Sequence, residues 1–266
     1  MINDFEFKEK YNVYDLVRVI KALRSEGGCP WDIEQTHATL KRNLIEEAYE
    51  VIEAINKNDM EMLREELGDV LLQVVFHAQI ESETGLFDID DVADENCKKM
   101  IQRHPHVFGE INVNSVDDVL TNWDAIKRQT KGQKTTSQAI DSVPREFPAL
   151  MRADKVQSKA AKAGFDWSQV DGALERLSDE INELKEAIAN GNKDEICDEL
   201  GDVLFSAVNV SRFVKVDAEE ALTSSTDKFV GRFKKVEKLA EEKGIDMKSA
   251  SLETLEELWD EAKKSM

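Results

Sequence analysis

Proline and glycine are scarce, with 4 and 12 copies in 266 residues. So few chain breakers leave long stretches free for helices, and no run alternates apolar and polar residues as a half-buried strand would. Cysteine is rarer still. Cys29, Cys97 and Cys197 are odd in number, widely spaced and outside any Cys-x-x-Cys pair, which argues against a disulfide framework or a thiolate zinc site and leaves three free thiols. Positive charge is in deficit, 35 Lys+Arg against 55 Asp+Glu for a formal net charge of −20. A nucleic-acid polymer is therefore an unfit partner, because phosphate-backbone affinity needs clustered Lys and Arg. Long apolar runs are also missing. The stretch 70–76, with Gln73 inside it, falls far short of the ~20 residues a membrane-spanning helix needs. The acidic first residues contain no basic segment followed by an apolar one, as a secretory leader would. The expectation is a soluble, cytoplasmic protein with no membrane or nucleic-acid partner.

What is abundant is helical periodicity. Leu16, Val19, Ile20 and Leu23 form one apolar stripe, Leu44, Ala48, Val51 and Ile55 a second, and Leu67, Leu71, Val74 and Val75 a third, so the expected class is all-α. The chain also repeats itself. Glu66-Leu67-Gly68-Asp69-Val70-Leu71 recurs as Glu199-Leu200-Gly201-Asp202-Val203-Leu204, an offset of 199 − 66 = 133. Glu47 and Glu50 match Glu180 and Glu183 at the same offset, Lys99 and Arg103 match Lys228 and Arg232 at 129, and Trp123 and Lys127 match Trp259 and Lys263 at 136. A tandem duplication follows. Its first repeat is placed at residues 1–140, a proline-bearing linker at 141–150 and the second repeat at 151–266. About five helices are expected per repeat, in the first at 13–26, 36–56, 60–83, 89–102 and 116–129.

The second and third helices of the first repeat flank a short polar turn centred on Asn58, which makes them an antiparallel hairpin. Glu50 and Glu66 each lie 8 residues from that centre, and Glu47 and Asp69 each lie 11. Equal counts give equal heights, because each helical residue rises about 1.5 Å. The i, i+3 spacing puts both acids of each helix on one face. The second repeat has the same arrangement about Gly191, with Glu183 and Glu199 at 8 and Glu180 and Asp202 at 11. Four carboxylates on the border of a core repel one another unless a cation compensates. Their all-oxygen chemistry favours Mg²⁺, with Mn²⁺ the next candidate. Ferritin-like di-iron bundles need Glu-x-x-His on two helices, which this sequence does not supply. A lone Glu-x-x-Glu in so acidic a chain is most simply a solvated face; its mirrored recurrence in two repeats points to metal ligands.

Glu46-Glu47-x-x-Glu50, then Glu66-x-x-Asp69, preceded by Cys29-Pro30-Trp31-Asp32 and followed by Arg103-His104-Pro105-His106-Val107-Phe108, resembles the MazG family of nucleoside triphosphate pyrophosphohydrolases in its two-repeat form. The resemblance runs from about Tyr14 to Lys264. It implies tandem helical modules with cores of the four-helix-bundle type, and hydrolysis of a nucleoside triphosphate to the monophosphate and pyrophosphate. On that reading Glu47, Glu50, Glu66, Asp69, Glu180, Glu183, Glu199 and Asp202 are both metal ligands and catalytic residues. Gln102 stands where members often carry a second arginine, and Asp179 stands where the first repeat has Glu46; the former tilts the expected activity toward the second repeat.

A chain this acidic repels a triphosphate unless bound metal and local cations invert the field. The candidate nucleotide-binding cations are Arg176, Lys228 and Arg232 in the second repeat and Lys99, Arg103 and Lys127 in the first. Trp259 and Trp123 are candidates for covering a base, against the commoner use of tryptophan in helix packing. His104 and His106, around Pro105, read as a helix-ending turn, and Phe229 reads as a core residue. The competing class is a non-catalytic module, either a metal-dependent nucleotide sensor or a helical assembly protein. The broad stripes on the carboxylate hairpins also predict a homodimer in which like repeats pair.

Overall fold

Several helices begin where the sequence offers a cap. In the computed structural model, which describes residues 7–109, 111, 115, 118–119, 122–123, 126, 130, 132 and 135–264, the side chain of Asn12 accepts from the amides of Tyr14 and Asp15 and opens α1 (Val13–Arg24). Asp15 returns the contact to the Asn12 amide, so two otherwise orphaned donors are satisfied. Pro30 occupies the first turn of the short α2 (Pro30–Glu34), where its missing N–H costs nothing. Thr36 caps α3 (His37–Lys57), Asp59 caps α4 (Met60–Thr84) and Asp88 caps α5 (Ile89–Arg103). His104 then ends α5 and Pro105 starts the four-residue α6 (Pro105–Phe108). The expected helix at 116–129 falls mostly outside the described residues.

The chain divides into two compact units, 1–127 and 128–266. In the first, α4 packs against α1, α3 and α5. Ile20 of α1, Leu40 of α3, and Val75 and Phe76 of α4 are buried together, ringed by Leu16, Leu23, Leu72 and Ile80. Burying each such side chain contributes roughly 1.5–3 kcal/mol, which fastens α1 across one face of the α3/α4 hairpin.

The second unit contains α7 (Thr136–Asp141), α8 (Ala149–Ala161), α9 (Val170–Asn190), α10 (Lys193–Phe213), α11 (Ala218–Glu242) and α12 (Leu252–Lys264). Its most extensive packing is between α9 and α10; α8 lies on α10 and α11, and α12 lies on α11. Val236 and Ala240 meet Leu258 and Ala262 in a buried seam, and Gln157 donates from Nε2 to the Phe205 carbonyl at 2.8 Å. The unit boundary lies upstream of the linker placed at 141–150, because α7, in a stretch that reads as polar sequence, packs on α8. Among the described residues every regular element is a helix, and none is long and apolar enough to cross a membrane.

Candidate metal centre

The heights of the carboxylates are set by how two helices stop. Asn58 ends α3 in the left-handed conformation at φ 52°, and Gly191 ends α9 in the same way at φ 74°. Each is followed at once by a capping residue, Asp59 or Asn192, that opens the next helix. The turns are therefore of equal length, and counting from them aligns Glu47 and Glu50 on α3 with Glu66 and Asp69 on α4. Likewise Glu180 and Glu183 on α9 align with Glu199 and Asp202 on α10.

Side-chain positions follow this register. One carboxylate oxygen each from Glu47, Glu66 and Asp69 lie within 4.8 Å of one another, and so do oxygens of Glu180, Glu199 and Asp202. The oxygens of each trio are close enough together to share one cation. Glu50 stands outside the first trio but close enough to raise the proton affinity of both Glu47 and Glu66. Glu183 stands outside the second trio and pairs with Arg176 at 3.2 Å.

The electrostatics are those of a centre short of positive charge. Burial, then Asp69, Glu50 and Glu66, pushes the Glu47 carboxyl above its ordinary range. Burial and then Glu50 and Asp69 do the same to Glu66. Glu180 is 4% exposed, and burial raises its pKa despite the opposing pull of Arg176. Glu199 is raised by burial, then by Glu183 and Asp202. Oε2 of Glu180 and Oε2 of Glu199 are buried without a hydrogen-bond partner. Buried, unpartnered carboxylate oxygens carry the full desolvation penalty, and a divalent cation between them removes it. The donor set thus fits a hard, oxygen-liganded metal.

The candidate cations are placed less directly. Arg176 forms an ion pair through Nη2 with Glu180 Oε1 at 2.7 Å and donates from Nη1 to Glu183 Oε1 at 3.2 Å. Lys228 and Arg232 lie one turn apart on α11, and Lys99 and Arg103 one turn apart on α5. Among the described residues none of these four forms an ion pair with the carboxylates of its repeat. The Arg232 guanidinium lies 5.9 Å from the centre of the Trp259 ring, and its Nε is buried without a partner. Trp259 itself packs beside the α11/α12 seam, while Trp123 meets His104 edge to face at 5.3 Å. Phe229 is not a core residue: it is 55% exposed, with Trp259 5.2 Å away, because the inward face of α11 is taken by Val236 and Ala240. Lys127 lies outside the described residues. Glu34 and His37 form one Glu-x-x-His, yet Glu34 ends α2 and His37 begins α3, so they do not share a helix as a di-iron site requires.

One relevant residue is absent from the sequence-based set. At the offset of 133 that pairs the acids, the counterpart of Arg176 is Asn43. The neighbouring Arg42 pairs instead with Glu46, both well exposed, at 2.7 Å. The repeat alignment alone contains that signal.

Comparison with known proteins agrees with this architecture. Residues 35–108 and 169–237 each match the MazG nucleotide pyrophosphohydrolase domain, and both matches enclose a carboxylate hairpin. The chain is 48% identical over 251 residues to the nucleoside triphosphate pyrophosphohydrolase/pyrophosphatase MazG of Thermotoga maritima, covering 94% of each. It is 41% identical over 254 residues to the nucleoside triphosphate pyrophosphohydrolase of Escherichia coli strain K12, covering 94% of this chain and 96% of that one. It is also 46% identical over 264 residues to the uncharacterized protein YabN of Bacillus subtilis, of which it spans 53%.

Proposed function

The chain belongs to the MazG nucleotide pyrophosphohydrolase family, and from that premise we propose that it is a Mg²⁺-dependent enzyme converting NTP or dNTP and water to the monophosphate and pyrophosphate. The observation that carries this reading is the twice-built carboxylate centre, with partnerless buried oxygens on Glu180 and Glu199. The proposed ligands are Glu47, Glu50, Glu66 and Asp69 in the first repeat and Glu180, Glu183, Glu199 and Asp202 in the second. Bound Mg²⁺ would neutralise triphosphate charge and make a coordinated water nucleophilic at neutral pH.

The chain's own residues do the rest. The paired helices fix the height and facing of the acids, so the centre is organised before substrate arrives. A carboxylate beside the metal is the proposed acceptor for the proton of an attacking water. Arg176, Lys228 and Arg232 are the proposed partners of the outer phosphates, with Trp259 beside them for the base; Lys99, Arg103 and Lys127 take the same roles in the first repeat. The more buried carboxylate and the added arginine support the second repeat as the proposed main site of turnover.

Assembly belongs to the same proposal. The carboxylate hairpins leave Leu44, Ile52, Leu67 and Leu71 exposed in one repeat and Ile181, Leu200 and Leu204 in the other. A second copy of the chain, pairing like with like, would close each hairpin into a four-helix layer.

A panel of NTPs and dNTPs with Mg²⁺ tests the reaction. Pyrophosphate released in equal amount to monophosphate is expected for at least one of them. Orthophosphate as the product, or tight binding of every nucleotide without turnover, would leave a non-catalytic nucleotide sensor as the better account.

A further inference from the structure

The two carboxylate centres differ by one cation. In the second repeat Arg176 spans Glu180 and Glu183 from the preceding turn of the same helix. In the first repeat that position is the neutral Asn43. Arg42, one residue earlier and so about 100° around the helix, is spent on Glu46. Among the described residues no cation pairs with Glu47, Glu50, Glu66 or Asp69.

Arg176 and the buried one of its partners are unequally exposed. The Arg176 side chain is 44% exposed and the Glu180 side chain 5%, so the guanidinium can leave while the carboxylate stays. A guanidinium within hydrogen-bond reach of two prospective ligands opposes a metal ion in two ways. It holds Oε1 of Glu180 and Oε1 of Glu183, leaving Glu180 only Oε2 to offer, and it places like charge a few ångströms from the incoming ion. A triphosphate changes that balance, because it offers Arg176 a bidentate anionic partner of equal or better geometry.

We propose that Arg176 is a counter-ion gate: it keeps the second centre from taking up a bare divalent cation and admits cation and triphosphate together, whereas the first centre, with Asn43, takes up a bare cation on its own. The inference rests on the reading of the carboxylates as metal ligands. Arg176 is in this respect a positioning residue that acts through Glu180 and Glu183, and the two repeats are loaded in different order although their acids superpose in sequence.

Mn²⁺ is the probe, followed by electron paramagnetic resonance on the full chain without nucleotide. Two classes of site are expected, the tighter one lost in the Glu47→Gln/Asp69→Asn variant. Arg176→Gln should tighten the weaker class by about tenfold, and Asn43→Arg should weaken the tighter class by a similar factor. Calorimetry with the Mn²⁺ complex of α,β-methylene-ATP should move the other way, with Arg176→Gln binding it more weakly. Opposite signs for bare ion and nucleotide complex are not produced by loss of a merely structural ion pair. Unchanged or weaker binding of bare Mn²⁺ in Arg176→Gln, or equal affinities in the two wild-type repeats, would overturn the gate while leaving the metal centre intact. No Mn²⁺ bound by either repeat at millimolar concentration would overturn the metal centre itself.

Discussion

His37 and His77 face each other Nδ1 to Nδ1 at 2.7 Å, and the other ring nitrogen of His37 reaches Glu81 Oε1 at 2.5 Å. A short contact between two ring nitrogens requires one to donate and the other to accept, so the pair cannot carry two full charges. The contact ties the start of α3 to α4 at the end of the hairpin away from the Asn58 turn.

Acid sensitivity follows from that pair. Burial, and then the nearby His37, holds the His77 imidazole below its ordinary value. The unfolded chain therefore binds this proton more readily than the folded one. The contribution to stability is complete above the ordinary histidine value of about 6.5 and is lost as pH falls below it toward the depressed folded value. Melting curves at pH 7.5 and 5.5 should show a smaller drop in Tm for His77→Gln than for the wild type. Identical drops would mean that His77 does not titrate differently on folding.

The carboxylate centres carry the opposite sign. Glu47, Glu66, Glu180 and Glu199 have raised pKa values, so their contribution is present below the ordinary carboxylic value and is lost as pH rises through the folded ones. At neutral pH and without metal they detract from stability. Mg²⁺ should raise Tm at pH 7.5 and raise it less at pH 5, where protons compete for the same oxygens. A Tm rise independent of pH would point to ion binding elsewhere.

Glu180→Gln or Asp202→Asn should lower turnover by about 100-fold or more while the helical circular dichroism stays unchanged. Removing one charge from a mutually repelling set does not cost the hairpin its packing. Matching changes at Glu47 or Asp69 should cost less. Wild-type turnover in a Glu47→Gln/Glu180→Gln double variant would sink the proposed site.

The heights of these acids can be counted from sequence because both turns are short and end on residues suited to positive φ, Asn58 and Gly191. Helix limits follow for the same local reason: Thr36, Asp59 and Asp88 are cap residues wherever they precede an apolar stripe. Tertiary choices are another matter. Phe229 has the look of a core residue, yet α11 buries Val236 and Ala240 instead. Whether Lys228 and Arg232 approach the acids depends on how α11 crosses α9 and α10, which no periodicity encodes. The pairing of Arg176 with Glu180 and Glu183 depends on side-chain rotamers, although the spacing of four made the first contact available.

Arg24 should be among the costliest single losses in the first unit. Its side chain is 6% exposed; it donates to Glu83 at 2.7 and 2.8 Å, and Nη1 donates to the carbonyls of Asp32 at 2.6 Å and Gln35 at 3.0 Å. The guanidinium also lies 5.3 Å from the centre of the buried Phe76 ring. Arg24→Ala removes four charge-assisted hydrogen bonds at the junction of α1, α2 and α4, although Glu83 keeps Gln79 and the Asp32 carbonyl keeps the Gln35 amide, a loss of about 1–3 kcal/mol. Urea unfolding measures it directly, and a change below about 0.5 kcal/mol would mean that water replaces the network.

The final prediction concerns the exposed faces of the hairpins. Leu67 is 51% exposed and Leu200, its counterpart at the offset of 133, is 48% exposed. Both sit beside a proposed metal ligand in the middle of a 25- or 21-residue helix, where solvent contact offers no stabilisation for leucine. Leu71 and Leu204 repeat the pattern one turn later, at 39% and 50% exposed. Two-fold association would bury each pair against its own copy, and the self-complementary contact would hold both metal centres at a closed helical layer. Light scattering at micromolar concentration should return the mass of a dimer for the wild type. Leu67→Lys/Leu200→Lys should shift it toward monomer and lower activity together with it, because a charge buried in that layer has no partner. A chain that is monomeric and fully active would remove the second copy from the site.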